Sequence, residues 1–238
     1  MDKKQRQLAL LQAIIQEYIK TAKPVGSKAL AEEHAFDCSS ATIRNDMTAL
    51  EDEGYIMQPH TSAGRVPTEQ GYQFYIENFM HQKELNRRQR ETLDSAADRQ
   101  TLDVADRMKR MAKTVADMTN EAVIVSIGPH NYFYTGISHL FRKPEFAEME
   151  MVMAMNELFE DMDKMRGMLD DIMSDDISVM IGHDNPFSAN CAFLASKYLL
   201  NEDAVGMMGI LGPMRMDYDT NLAILEYMES LIAEEDER

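Results

Sequence analysis

The chain has no run of about 18 apolar residues, so no segment reads as a membrane span. The start, Met1 to Leu8, is charged and is followed by no apolar h-region, so no secretory signal is expected there. Only two cysteines occur, Cys38 and Cys191, far apart and without metal-ligand spacing. Free thiols in a reduced cytoplasm are the expectation. The six histidines, His34, His60, His81, His130, His139 and His183, form no H-E-x-x-H and no close pair. Gly206, Gly209 and Gly212 are spaced by three, without the phosphate-loop Lys-Ser/Thr, and read as close backbone approach in a strand and turn. Asp170, Asp171, Asp175 and Asp176 lack the alternating ligands of a calcium loop and read as the charged end of a helix. No nucleophile has a recognisable base partner. No enzyme activity, cofactor or resident metal is therefore expected.

Positive charge is also short. The net charge of the 238 residues is -17, which at first argues against a nucleic-acid partner. Its distribution changes that inference. Residues 1–80 hold 8 Lys+Arg and 11 Asp+Glu, a net of -3, and the remainder carries -14. The acid belongs to the second part. The first part can gather a small basic face, which implies weak non-specific binding and dependence on base readout. With 45% hydrophobic residues, a buried core is within reach.

What the sequence does contain is concentrated between Cys38 and Gly54. Ser39 or Ser40 can cap a helix there, and Gly54 can end it in a left-handed conformation. Ile43, Met47 and Leu50 fall at i, i+4 and i+7, on one face. The opposite face carries Ala41, Asn45 and Thr48, with Arg44 on its flank. Arg matches the two acceptors of guanine, Asn the edge of adenine, and Ala or Thr a thymine methyl, so this face suits a DNA major groove. An ordinary amphipathic surface helix has the same pattern, and the flanking chain must decide.

Leu8, Leu11, Ile15 and Tyr18, backed by Ile14 and Ile19, predict a first helix ending near Thr21. Lys23 to Gly26 is a loop, and Ser27 opens a short second helix through Ala29, Leu30 and His34. Short helix, tight turn and longer helix make a helix-turn-helix. Tyr55–Gln58 and Arg65–Pro67 then read as two short strands around a polar loop, a β-hairpin, with His60 and Arg65 at its tip. The whole is a winged helix-turn-helix. Base contacts are expected from Arg44, Asn45 and Thr48, beside Ala41. Phosphate contacts are expected from Ser40 and Thr42, and wing contacts from His60, Thr61, Ser62 and Arg65. Thr68 caps a further helix whose Tyr72, Tyr75, Ile76 and Phe79 stripe reads as core.

Pro24–Ser27, Ala41–Met47, Leu50–Glu51 and the run His60–Thr68 with Gly71–Tyr72 resemble the HrcA family, bacterial heat-inducible transcription repressors. The resemblance runs almost unbroken from about Arg6 to Phe79. It implies a cytoplasmic repressor of chaperone genes that binds an inverted-repeat operator in double-stranded DNA. It also implies release on heat shock, when unfolded protein draws away a chaperonin that the repressor needs. A two-fold operator implies a homodimer.

Residues 81–120 read as a connector, charged to Arg90, and an amphipathic helix through Val104, Met108, Met111, Val115 and Met118. Beyond them, residues 121–238 alternate strands and helices. Strands are expected at Ala122–Ile127, Tyr132–Thr135, Ile177–Ile181 and Ala204–Leu211, and a closing helix at Asp217–Ile232. Asn190–Lys197 fits strand or helix. Met151, Met155, Leu158, Met162, Met165, Leu169 and Ile172 repeat at 4 and 3, a stripe that suits a dimer seam or packing on a sheet, and Gly167 favours the sheet. The class is α+β. Phe141–Phe146, Ile181–Gly182 with Asn185–Pro186, and Gly209–Tyr218 are similar to the family's GAF-like domain, which implies dimerisation and regulation here. Family members are longer, with an inserted dimerising domain where this chain has only Gly128–Asn131, so the chain looks like a pared-down member. Two other readings fit the composition: a small-molecule-sensing winged-helix regulator, and a winged-helix adaptor for proteins.

Overall fold

The computed structural model describes residues 2–33, 36, 38–80, 83–98, 103–128, 131–147, 152, 153, 155, 167, 177–201 and 204–233. The chain divides into two compact units, Met1–His81 and Gln82–Arg238.

In the first unit, α1 (Lys3–Thr21) begins at an Asp2 cap that forms a reciprocal capping box with Gln5 and ends at Ala22 in the left-handed conformation. Its buried side is Leu10, Leu11, Ala13, Ile14 and Ile15, with Leu8 and Tyr18 only half-buried. The seam is therefore one residue wider than the i, i+3, i+4 stripe predicts. Short α2 (Ser27–Glu33) contributes Leu30, fully buried. Helix α3 (Ser40–Asp52) buries Ile43, Met47 and Leu50, each adding about 1.5–3 kcal/mol of apolar burial. After Gly54, at φ +85°, the chain leaves the helix and forms an antiparallel hairpin. Its strands are β1 (Ile56–Met57) and β2 (Val66–Pro67), with Ile56 opposite Pro67 and Met57 opposite Val66. Helix α4 (Glu69–Phe79), capped by Thr68, closes the unit through buried Tyr72 and Tyr75. Ile76 is only half-buried; Phe74 instead meets Tyr55 with ring centroids 4.9 Å apart.

The second unit is α+β. Its antiparallel sheet has the order β4-β3-β7-β6-β5. The strands are β3 (Ala122–Ser126), β4 (Tyr132–Thr135), β5 (Ile177–Ile181), β6 (Cys191–Asn201) and β7 (Ala204–Pro213). Asn190–Lys197, open to two readings in the sequence, is strand from Cys191 onward. Ala122, Ile124, Cys191, Phe193, Ala195, Met207 and Leu211 join Leu140, Phe146, Met155 and Phe187 in one apolar cluster. Leu140 belongs to a one-turn helix, α7 (Ile137–Leu140). Ser196, out of phase with Ala195, donates at 2.6 Å to Glu229 of α8 (Tyr218–Ala233), which puts that helix on the opposite face. Helix α6 (Val104–Thr119) packs against β3 and β4. Both faces of the sheet are thus covered, and all five residues of β3 are buried.

One helix replaces part of the expected connector. Helix α5 (Arg87–Ala97) starts at an Asn86 capping box with Gln89 and packs on α6 and α8 through Leu93 and Ala96. The sequence Arg87–Ala97 holds a single large apolar residue, so it shows no stripe. Most of the methionine heptad from Met151 to Ile172 lies outside the described residues, as do His34 and the four aspartates at 170, 171, 175 and 176. No described helix is long and apolar enough to cross a membrane.

Candidate nucleic-acid interface

The capped start of α3 fixes its rotation in the first unit. Ser39 accepts the Thr42 N–H at 3.2 Å, and the two hydroxyls lie 3.0 Å apart. From that start, the 100° step sends Ile43, Met47 and Leu50 inward and leaves Ser40, Ala41, Arg44, Asn45 and Thr48 exposed, with Thr42 half-buried. Thr48 donates its hydroxyl to the Arg44 carbonyl at 3.1 Å. Arg44 and Asn45 stand open to solvent. Asp46 turns inward at 2% exposure and accepts from Arg6 Nε of α1 at 2.6 Å. That bond raises the Arg6 pKa. It ties the buried side of α3 to α1, so the outward face has a defined aim.

The hairpin loop, residues 58–65, stands beside this face. His60, Thr61 and Ser62 are exposed. Gln58 braces the loop from within, its amide donating to the carbonyls of Thr61 at 3.0 Å and Ala63 at 2.9 Å. Arg65 corrects an expectation. It lies at the base of the hairpin, not at the tip, and its Nε donates to Glu51 of α3 at 2.9 Å. With its side chain 16% exposed, the guanidinium is held by a nearby carboxylate rather than offered to solvent. Glu51 uses its other oxygen to accept the Gln58 N–H at 3.1 Å. Arg65 and Val25 also bridge by backbone hydrogen bonds of 2.8 and 2.9 Å, so the loop before α2 is stitched to the hairpin. Between them opens a cleft of about 500 Å³, lined among others by Ser27, Lys28, Arg44, Thr61 and Ser62.

The sequence places the exposed helix face and the loop tip together. It does not single out Lys28, Glu51 as a brace, or Gln58. Glu51 and Gln58 carry no periodic signal, because their partners are chosen through space. Among the described residues, no group of three or more His, Cys, Asp or Glu side chains gathers as a cation site.

Comparison with known proteins decides the family. The family model described as "HrcA protein C terminal domain" matches residues 61–221, from the hairpin loop into α8. The chain belongs to the HrcA family.

The heat-inducible transcription repressor HrcA of Acetivibrio thermocellus is 26% identical over 338 aligned residues, covering 98% of this chain and 96% of the relative. Those 338 positions exceed the 238 residues here by about 100, so that many positions of that HrcA have no counterpart in this shorter member. The heat-inducible transcription repressor HrcA of Nocardioides sp. is 44% identical over 121 residues, 51% of this chain and 36% of the relative. Across that match the chain spans only about a third of the relative's length. A crystal structure of a hypothetical protein, at 2.2 Å resolution, superposes with a TM-score of 0.75 at 20% identity over 96% of this chain and 97% of that one. That likeness concerns the fold alone.

Proposed function

We propose that this HrcA-family chain is a transcriptional repressor of heat-shock genes whose first unit is a winged helix-turn-helix bound to DNA. The observation that carries the reading is the outward face of α3. Ala41, Arg44, Asn45 and Thr48 are exposed together on a helix whose other side is locked into a core, and a polar hairpin loop stands next to it. Arg44, Asn45 and Thr48 read base edges in the major groove, with Ala41 against a thymine methyl. Ser40 and Thr42 meet phosphate at the start of the helix, where the free N–H groups favour anions. His60, Thr61 and Ser62 reach the neighbouring groove, while Arg65 holds the wing to Glu51 and acts on DNA through that placement.

One such helix on a chain of net charge -17 binds weakly, which supports a homodimer on an inverted-repeat operator. The second unit, a five-stranded antiparallel sheet with helices, is read as a GAF-like domain that pairs the chains and regulates them. Release on heat stress accords with the name heat-inducible transcription repressor that the relatives carry, and a chaperonin as partner needs its own test.

The decisive experiment is a mobility shift with a duplex selected from a random library by the wild-type chain, against Arg44→Ala. Arg44→Ala is expected to lose about 1–3 kcal/mol on the selected duplex and little on random DNA. Equal affinity and selectivity in Arg44→Ala and wild type would show that α3 does not read the groove.

A further inference from the structure

The cleft between the start of α2, the face of α3 and the hairpin loop shares only Arg44 with the base contacts just described. Beside Val25, Met47 and Ala63, its lining offers polar and basic groups: Ser27 and Lys28 from α2, Arg44 from α3, and Thr61 and Ser62 from the loop. Lys28 is 86% exposed, and Glu32, one helical turn on, is 4.0 Å away and itself 68% exposed. Such a pair is worth little and leaves the ammonium available. Arg65, a third cation of the lining, is already held by Glu51. Glu51 also holds the Gln58 N–H, and Gln58 holds the loop carbonyls. A single carboxylate of α3 therefore sets the distance between that helix and the loop.

In a DNA duplex, one sugar-phosphate strand separates each major groove from the adjacent minor groove. If α3 enters the major groove and the hairpin loop reaches the minor groove beside it, the strand between the two grooves must pass between the two elements. The place between them is this cleft. The free Lys28 ammonium and the hydroxyls of the lining match phosphodiester oxygens. We propose that the cleft seats one DNA backbone strand, with Lys28 as its cation and Glu51 as the positioning residue that sets its width. The proposal rests on the DNA-binding reading above. It adds Lys28 as a phosphate contact, and it gives Glu51 a role although Glu51 does not touch the nucleic acid.

The test uses the full chain, the library-selected duplex and a random duplex, each titrated at several salt concentrations. Lys28→Ala should weaken both duplexes by the same factor, roughly three- to tenfold, and flatten the dependence of log K on log salt by about 0.9. Glu51→Gln should lower the ratio of selected to random affinity by about tenfold without flattening that dependence, because it removes placement and no cation. An Arg44→Ala effect with no change in Lys28→Ala overturns the seat and leaves the base-reading face intact. Lys28→Ala that weakens only the selected duplex makes Lys28 a base reader and also overturns it. Inorganic phosphate that raises the melting temperature only when Lys28 is present, with both duplex affinities unchanged in Lys28→Ala, assigns the cleft to a free phosphate instead. A wild-type chain that selects no duplex from the library and does not bind the random duplex overturns the DNA reading and the seat together.

Discussion

Gly64→Ala is the most local perturbation of the hairpin. Gly64 precedes Arg65, whose backbone exchanges two hydrogen bonds with Val25: the Val25 N–H donates at 2.8 Å and the Arg65 N–H at 2.9 Å. A Cβ on residue 64 would lie 2.4 Å from the Val25 carbonyl oxygen, 2.5 Å from its carbon and 2.8 Å from its nitrogen. All three are backbone atoms, so no flexible side-chain end can yield. Ordinary contact needs about 1 Å more, and opening the bridge by that amount takes both hydrogen bonds beyond useful length. At about 1 kcal/mol net each, the two bonds amount to about 2 kcal/mol, or roughly thirtyfold in the opening equilibrium. Amide hydrogen exchange of Val25 and Arg65 reads this directly, and about thirtyfold faster exchange is expected at both, with α1 unaffected. Because Val25, Gly64 and Arg65 all line the cleft, affinity for DNA should fall alongside. Exchange rates within about twofold of wild type at both amides would refute the steric argument.

The remaining predictions concern the second unit and the thiols. Tyr198 of β6 donates its buried hydroxyl to the Ser126 carbonyl of β3 at 2.6 Å, spanning β7; Tyr198→Phe should cost about 1–2 kcal/mol in a urea melt, and an unchanged midpoint would make the bond inconsequential. Burial pushes the Glu121 carboxyl from 4.5 up to about 7, against the opposing pull of Lys143 and Arg215. The folded state therefore keeps a proton that the unfolded chain has released between those two values, and this contribution to stability is complete below about pH 4.5 and lost as pH rises through about 7. Melting temperature measured across that window should accordingly slope less downward in Glu121→Gln than in wild type, and parallel slopes would rule out the proton. Cys191 is fully buried and its thiol is pushed up to about 12, while Cys38 is half-buried. Brief native alkylation read by mass spectrometry should thus label Cys38 and spare Cys191.

The sequence by itself determined helix α3: its Ser39 cap, its inward Ile43, Met47 and Leu50, its outward Arg44, Asn45 and Thr48, and its stop at Gly54. Cap, period and stop are local properties of a dozen residues, and a capped helix with one apolar side has one way to lie on a core. Local chemistry also placed the hairpin and, apart from β6, the strands of the larger sheet. Three features were decided only by tertiary structure. Helix α5 is held by Leu93 and Ala96 against α6 and α8, so its pattern is too sparse to register in one dimension. Strand β6 lies inside a sheet covered on both faces, so its residues lose the alternation that separates strand from helix. Arg65 reads as a cation for phosphate, and only the fold brings Glu51, fourteen residues earlier, within 2.9 Å of it. An ion pair is chosen by distance in space, and that choice sets Arg65 against Glu51 at the base of the hairpin.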